Sequence, residues 1–274
     1  MAIVASTSWG RQLLYEILPF PYAPLIATLL WSVVIGLVGH FAIFRLRFFD
    51  SLLKAPVSAP FMALPAVLFA FLLAFMASAA WQNISLARTS LVNEHTALAR
   101  LAAVPIGPAA AKQQMQAGLK RYLTAAIDDE WAKRYNESSS PEAGAALDAL
   151  NTGIWAIASQ CRGQGAAPDC ASDLAVSTYI KALDDLRSAR EQRLSLGYQG
   201  TLRLKWVLGF VLAMAAALSI AAIHRANERT AAICQVLFSV SIWMTFAMVA
   251  LHIQPYRGPD ALTPGVMQEI RAKL

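Results

Sequence analysis

Charge is scarce in this 274-residue chain: only 15% of its residues are Asp, Glu, Lys or Arg, against roughly 25% in an average soluble domain. With 57% hydrophobic residues, much of the chain must sit out of water, which excludes an ordinary soluble fold. The chemistry of catalysis is missing as well. There is no nucleophile with an identifiable base, no glycine-rich phosphate loop and no cluster with metal-ligand spacing, so neither an enzyme nor a bound metal or other cofactor is expected. Basic clusters with interleaved aromatics are also lacking, which argues against a nucleic-acid partner. Cysteine occurs three times. Cys161 and Cys170 bracket the loop CRGQGAAPDC and suit either a disulfide or two unpaired thiols, while Cys234 reads as packing. Internal repeats and low-complexity tracts are absent.

What is abundant is long, uncharged apolar sequence. A hydrocarbon core about 30 Å thick needs about 20 residues at 1.5 Å rise each. Four runs without Lys, Arg, Asp or Glu meet that requirement: Leu25 to Phe44, Phe61 to Trp81, Trp206 to Ile223 and Ala231 to Leu251. The sequence therefore predicts an all-α membrane protein, with four transmembrane helices and an inserted extramembrane helical domain continuous with spans 2 and 3. Residues 1–24 are expected to form an N-terminal interfacial segment, because Trp9, Leu13, Leu14, Ile17 and Leu18 recur at helical spacing. Residues 25–82 hold the first two spans, 83–203 the extramembrane domain, 204–251 the last two spans and 252–274 a C-terminal tail.

The inserted domain is nearly neutral, with 13 basic and 12 acidic residues, leaving 10 of the 23 basic and 5 of the 17 acidic residues beside the membrane. Arg45, Arg47, Lys54, Arg225 and Arg229 lie in the two short connections, so the positive-inside rule places those loops in the cytoplasm and the inserted domain outside. Within the insert, helices are predicted from the end of the second span to about Arg100, and over Pro108 to Arg134, Pro141 to Gln160 and Ser172 to Ser195. SSSPE at 138–142 reads as a helix start with Pro near the first position, and Asp169 or Ser172 as the cap of the last helix.

Small residues recur every fourth position in three spans and mark helix contact faces, within or between protomers. They are Ala66, Ala70, Ala74 and Ser78 in the second, Gly209, Ala213, Ala217 and Ala221 in the third, and the more polar Thr28, Ser32, Gly36 and His40 in the first. His40 is the ionisable group inside the first span; it either snorkels to the interface or serves proton sensing or permeation. Heptad spacing places Glu94 on the apolar seam of the helix leaving the second span, and Arg190 and Arg193 on that of the helix entering the third. Glu94 lies 13 residues after Trp81 and Arg193 lies 13 before Trp206, so antiparallel helices would bring the two together as a buried ion pair. Gly197 and Gly200 are candidate breaks in that second helix. The run Asp128, Asp129, Glu130, Trp131 does not make a metal site, since consecutive helical residues point in different directions.

YLTAAIDDEW at 122–131, SAREQRL at 188–194 and QPYRGPDALTP at 254–264, together with the order of spans and Glu94 beyond Trp81, resemble a bacterial bestrophin-like family. Ile253 stands where that family carries an acidic residue. Bestrophins are oligomeric anion channels with four spans and a helical domain between the second and third, so the resemblance implies a homo-oligomeric channel for inorganic anions in the bacterial inner membrane. It implies that the second span lines the pore, with Leu68, Phe71, Leu72 and Phe75 as constriction candidates gating by dewetting. It also implies a cytosolic helical domain, opposite to the charge-based orientation. The competing expectation is a non-conducting, membrane-anchored sensor or interaction protein acting through its helical domain.

Overall fold

Apolar runs of this length can satisfy their backbone groups in lipid only as helices, and helices are what they form. The computed structural model describes residues 22–45, 62–163, 171–198, 203–257 and 261–274. Among these there is no strand. The helices are α1 (Tyr22–Arg45), α2 (Leu64–Ala103), α3 (Ala109–Ala125), α4 (Pro141–Gly163), α5 (Asp173–Tyr198), α6 (Arg203–Ile223), α7 (Glu228–His252) and α8 (Gly265–Lys273). Four of them, α1, α2, α6 and α7, are long and apolar enough to cross a membrane. The chain is an all-helical membrane protein of four spans.

The described residues fall into two compact units, one holding residues up to 82 with those between 203 and 257, the other holding 83–198 and 261–274. In the first unit α1 packs on α6 and α7. Its core is Ile35, Phe69, Leu73, Ala213, Ala217, Ile242 and Phe246, with Trp206 and Phe210 against it. Phe246 meets Phe69 edge-on at 5.7 Å and Phe210 at 5.3 Å. The small-residue row of α6, Gly209 to Ala221, is buried in this unit, and so are Thr28, Ser32 and Gly36 of α1. Contact here is close enough that a Cβ at Gly36 would collide with Ser239 Oγ. In α2 the row behaves otherwise: Ala70, Ala74 and Ser78 are exposed, while Phe69, Leu73, Met76 and Ala80 face the core. α7 starts where Asn227 accepts a hydrogen bond from Thr230 N–H at 3.2 Å, an N-cap that stops the helix from fraying into the tight 224–227 turn.

In the second unit α3 packs on α4, α4 on α5, and α8 on α3. Ser172 caps α5, its Oγ accepting from Ala175 N–H at 3.1 Å, and Pro141 is the first residue of α4, where its missing N–H costs no hydrogen bond. Two expectations need correction. The helix predicted over Pro108 to Arg134 ends as an α-helix at Ala125, continues as a π-helical turn over Ala126–Trp131 and gives way to a turn in which Tyr135 and Asn136 have φ of 50° and 60°. Gly197 does not break α5, which runs on to Tyr198. The interfacial reading of residues 1–21, Asp169, Cys170 and Gly200 fall outside the described residues, as does the join between α5 and α6.

Candidate functional site

The seam of the second unit holds charge where a helical core is normally apolar. Glu94 of α2, Glu130 of the π-helical turn and Arg193 of α5 are each fully buried, and Arg190 nearly so. Burying an isolated ion is costly, so the geometry of its partners decides whether the arrangement stands. Arg193 donates from Nε to Glu94 Oε2 at 2.8 Å and from Nη2 to Glu94 Oε1 at 3.2 Å, a two-pronged pairing. The same Nη2 reaches Glu130 Oε2 at 2.8 Å, and Nη1 donates to the Asn136 side-chain carbonyl. The Trp131 ring lies 5.5 Å from the guanidinium carbon. Arg190 belongs to the other carboxylate: its Nε and Nη2 donate to Glu130 Oε1 at 3.1 and 2.5 Å, and Nη2 also reaches the Ser140 carbonyl at 3.3 Å.

The remaining acceptor sites are filled by neutral donors. Tyr122 O–H donates to Glu94 Oε1 at 2.6 Å, and Ser140 N–H to Glu130 Oε1 at 2.9 Å. Two carboxylates and two guanidiniums sum to zero charge, and each carboxylate oxygen accepts at least one hydrogen bond. The electrostatics follow. Burial lifts the Tyr122 hydroxyl well above its usual pKa, and the Glu94 charge adds to this, so it stays protonated as a donor. For Arg193 burial acts to lower the pKa, but Glu94 outweighs it and holds the guanidinium above its usual value. Burial likewise pushes the Glu130 carboxyl up, and the Arg190 hydrogen bond, the Arg193 charge and the Ser140 N–H together bring it below the usual glutamate value.

A carboxylate whose pKa is depressed on folding contributes stability above its unfolded pKa, about 4.3 for glutamate, and that contribution is lost as pH falls through the lower folded value. Thermal unfolding in detergent should therefore show a midpoint that falls on acidification below about pH 4.3. Glu130→Gln should lower the midpoint at neutral pH and make it fall less steeply with acid; an unchanged acid slope in the variant would assign the titration elsewhere.

Sequence reasoning placed Glu94, Arg190 and Arg193 on facing seams, and the structure brings Arg193 to Glu94. Arg190 differs: it pairs with Glu130, because the π-helical turn swings that carboxylate inward while Asp128 and Asp129 remain on the outside. Asp129 binds Arg134 at 3.1 Å and Asp128 binds Arg271 of α8 at 3.1 Å. Glu130, Tyr122, Asn136 and Ser140 were missed. The signal for the first two was present: Leu119, Tyr122, Leu123, Ala126, Ile127, Glu130 and Trp131 follow the three-four spacing of one buried face, and all seven are buried.

Of the other candidates, Leu68, Phe71 and Phe75 are 55%, 60% and 72% exposed on α2, with Leu72 intermediate. Leu68, Phe71 and Phe75 point away from the core of their unit, while Leu72 reaches towards Gly209 of α6. His40 Nε2 lies 3.5 Å from Glu228 Oε1, with its ring 4.7 Å from Phe44. Cys161 sits near the end of α4 and its possible partner Cys170 is outside the described residues. Cys234 Sγ lies 3.9 Å from His224 Nε2. No group of three or more potential metal ligands occurs among the described residues.

A family model, the Bestrophin-like domain, matches residues 26–267. Solved structures of variants of a bacterial bestrophin homologue from Klebsiella pneumoniae share the fold. One superposes with a TM-score of 0.62 at 14% identity, covering 93% of this chain and 97% of the other. A second gives 0.58 at 15% identity, covering 90% and 96%. No curated protein sequence matches the chain.

Proposed function

The chain belongs to the Bestrophin-like family, and on that premise we propose that it is the subunit of a homo-oligomeric channel that conducts inorganic anions across the bacterial inner membrane. The observation that carries this reading beyond family membership is the outward face of α2. Leu68, Phe71 and Phe75 are large, apolar and exposed at helical spacing, while the opposite face of the same helix, Phe69, Leu73 and Met76, fills the core. In a ring of copies such a face would form an apolar neck that empties of water when closed. The exposed Ala70 and Ala74 on the same span would let neighbouring helices approach closely. The neutral charge network on the helical unit would keep its helices in one register as the wall of a vestibule. The basic residues at the ends of the spans, Arg45, Arg225 and Arg229, favour placing the short loops in the cytoplasm and the helical unit outside.

The test is recording from the purified full chain in planar bilayers under a chloride gradient. Currents that reverse near the chloride potential are expected, and Phe71→Ala with Phe75→Ala should raise them by widening the neck. Silence across voltage, calcium and pH would sink the channel reading. A second reading, a non-conducting sensor, is favoured by a cleft of about 610 Å³ on the helical unit lined by Lys120, Arg121, Lys133 and Asp129 among others. A monomer or simple dimer without an axial path would support it.

A further inference from the structure

The outer side of the α1 and α7 contact carries a groove of about 300 Å³. Its length is apolar: Leu29, Val33 and Leu37 on α1 and Val236 and Val240 on α7 line it, and all five are exposed. Its polar residues include His40, Gln235 and Ser239. Gln235 is 3% exposed, and its Nε2 donates to the Ala217 carbonyl at 2.5 Å. That bond fixes the amide, because the flipped side chain would set oxygen against oxygen. Its Oε1 is then a buried acceptor without a donor, and His40 Nδ1 is a second polar atom without a partner. His40 Nε2 faces the Glu228 carboxylate at 3.5 Å, so the tautomer protonated at Nε2 leaves Nδ1 as an acceptor too. In lipid, with no water to complete them, such acceptors call for a donor.

We propose that this groove holds one phosphatidylethanolamine molecule, its acyl chain along α1 and α7 and its ammonium at the His40, Glu228 and Gln235 end. Three features select that occupant. From His40 to Leu29 the groove follows 12 residues of α1, a rise of about 16 Å, which matches the half-thickness of a hydrocarbon core of about 30 Å. That length suits an acyl chain lying in one leaflet. An ammonium carries three N–H donors: the exposed Glu228 carboxylate beside His40 would accept from one, and the buried Gln235 Oε1 and His40 Nδ1 would accept the others once their side chains turn into the groove. A trimethylated choline has no N–H to give, and an anionic head without a cation would meet the Glu228 carboxylate. Arg229, exposed and next in sequence to Glu228, supplies a cation for the phosphate. This site does not depend on conduction and stands or falls apart from the channel reading.

The experiment equilibrates the full chain in mixed micelles with phosphatidylethanolamine, phosphatidylcholine or phosphatidylglycerol and counts retained lipids by native mass spectrometry. Phosphatidylethanolamine should be retained about tenfold over phosphatidylcholine, the ratio that loss of one charge-assisted hydrogen bond produces. Glu228→Gln, a change at a half-exposed position, should reduce that preference severalfold. In parallel, phosphatidylethanolamine bearing a diazirine in its acyl chain should label peptides 29–40 and 232–243 of the unaltered protein. Equal retention of the two zwitterionic lipids, a preference indifferent to Glu228→Gln, or labelling confined to other segments would each overturn the proposal. So would a complete lack of labelling, which would mean that a second copy of the chain covers the groove.

Discussion

Arg193→Gln is expected to destabilise the protein by about 3–5 kcal/mol, the usual cost of removing one partner from a buried ion pair. The reason lies in what remains. Arg193 is the residue that touches both carboxylates, through Nε and Nη2 to Glu94 and through Nη2 to Glu130. Without it Glu94 keeps only the Tyr122 hydroxyl, and Glu130 keeps Arg190 and Ser140 N–H. The network turns from neutral to singly negative in a space closed to water, and one carboxyl must take up a proton or the helices must part to hydrate it. For a chain of this size the apparent unfolding midpoint in detergent should fall by on the order of 10 °C. Glu94→Gln should cost less, because Arg193 retains Glu130 and Asn136. Replacing Arg193 and Glu94 together by Leu should cost less than the sum of the two single changes, since the charges leave as a pair. Unchanged midpoints for both Arg193→Gln and Glu94→Gln would refute a network that holds the helices in register.

What the sequence revealed and what it hid divide along physical lines. The four spans were legible because hydrophobicity over about 20 residues is a one-dimensional signal set by bilayer thickness. The seam positions of Glu94, Arg190 and Arg193 were legible because heptad spacing survives in any straight helix. Glu130 was hidden by its neighbours: a run of three acids looks like a solvated helix end, although the spacing of the apolar residues from Leu119 to Trp131 sets Glu130 apart from Asp128 and Asp129 on the buried face. The π-helical turn itself was not legible, since a uniform 3.6 period cannot anticipate one. Asn136 had no signal at all, since its role depends on a left-handed backbone that nothing in the neighbouring sequence requires. Gln235 gave no signal, because an uncharged amide leaves the apolar run of its span unbroken.

Gly197 shows how a residue type can be noticed for the wrong reason. Glycine inside a helix costs about 1 kcal/mol relative to alanine, which made it a plausible break, yet α5 continues past it. What it provides is room. A Cβ at 197 would collide with the backbone carbonyl of Asn136, and that carbonyl belongs to a turn held by two hydrogen bonds. Asn136 N–H donates to the Glu130 carbonyl at 2.7 Å, its side-chain oxygen accepts from Arg193, and it and Tyr135 have positive φ, a conformation that costs of order 1 kcal/mol per non-glycine residue and persists only under such constraint. The colliding atom is backbone, so it cannot swing aside like the end of a flexible side chain. Gly197→Ala therefore has to displace the turn, and with it the Asn136 bond to Arg193, and the clash should outweigh the gain in helix propensity. A net loss of about 2 kcal/mol is expected, within the usual range for overpacking. The control is Gly144→Ala in α4, where a Cβ meets nothing within 4 Å and the propensity gain of up to about 1 kcal/mol should appear as stabilisation. If both substitutions raise the unfolding midpoint alike, the turn at 135–136 does not clamp the end of α5.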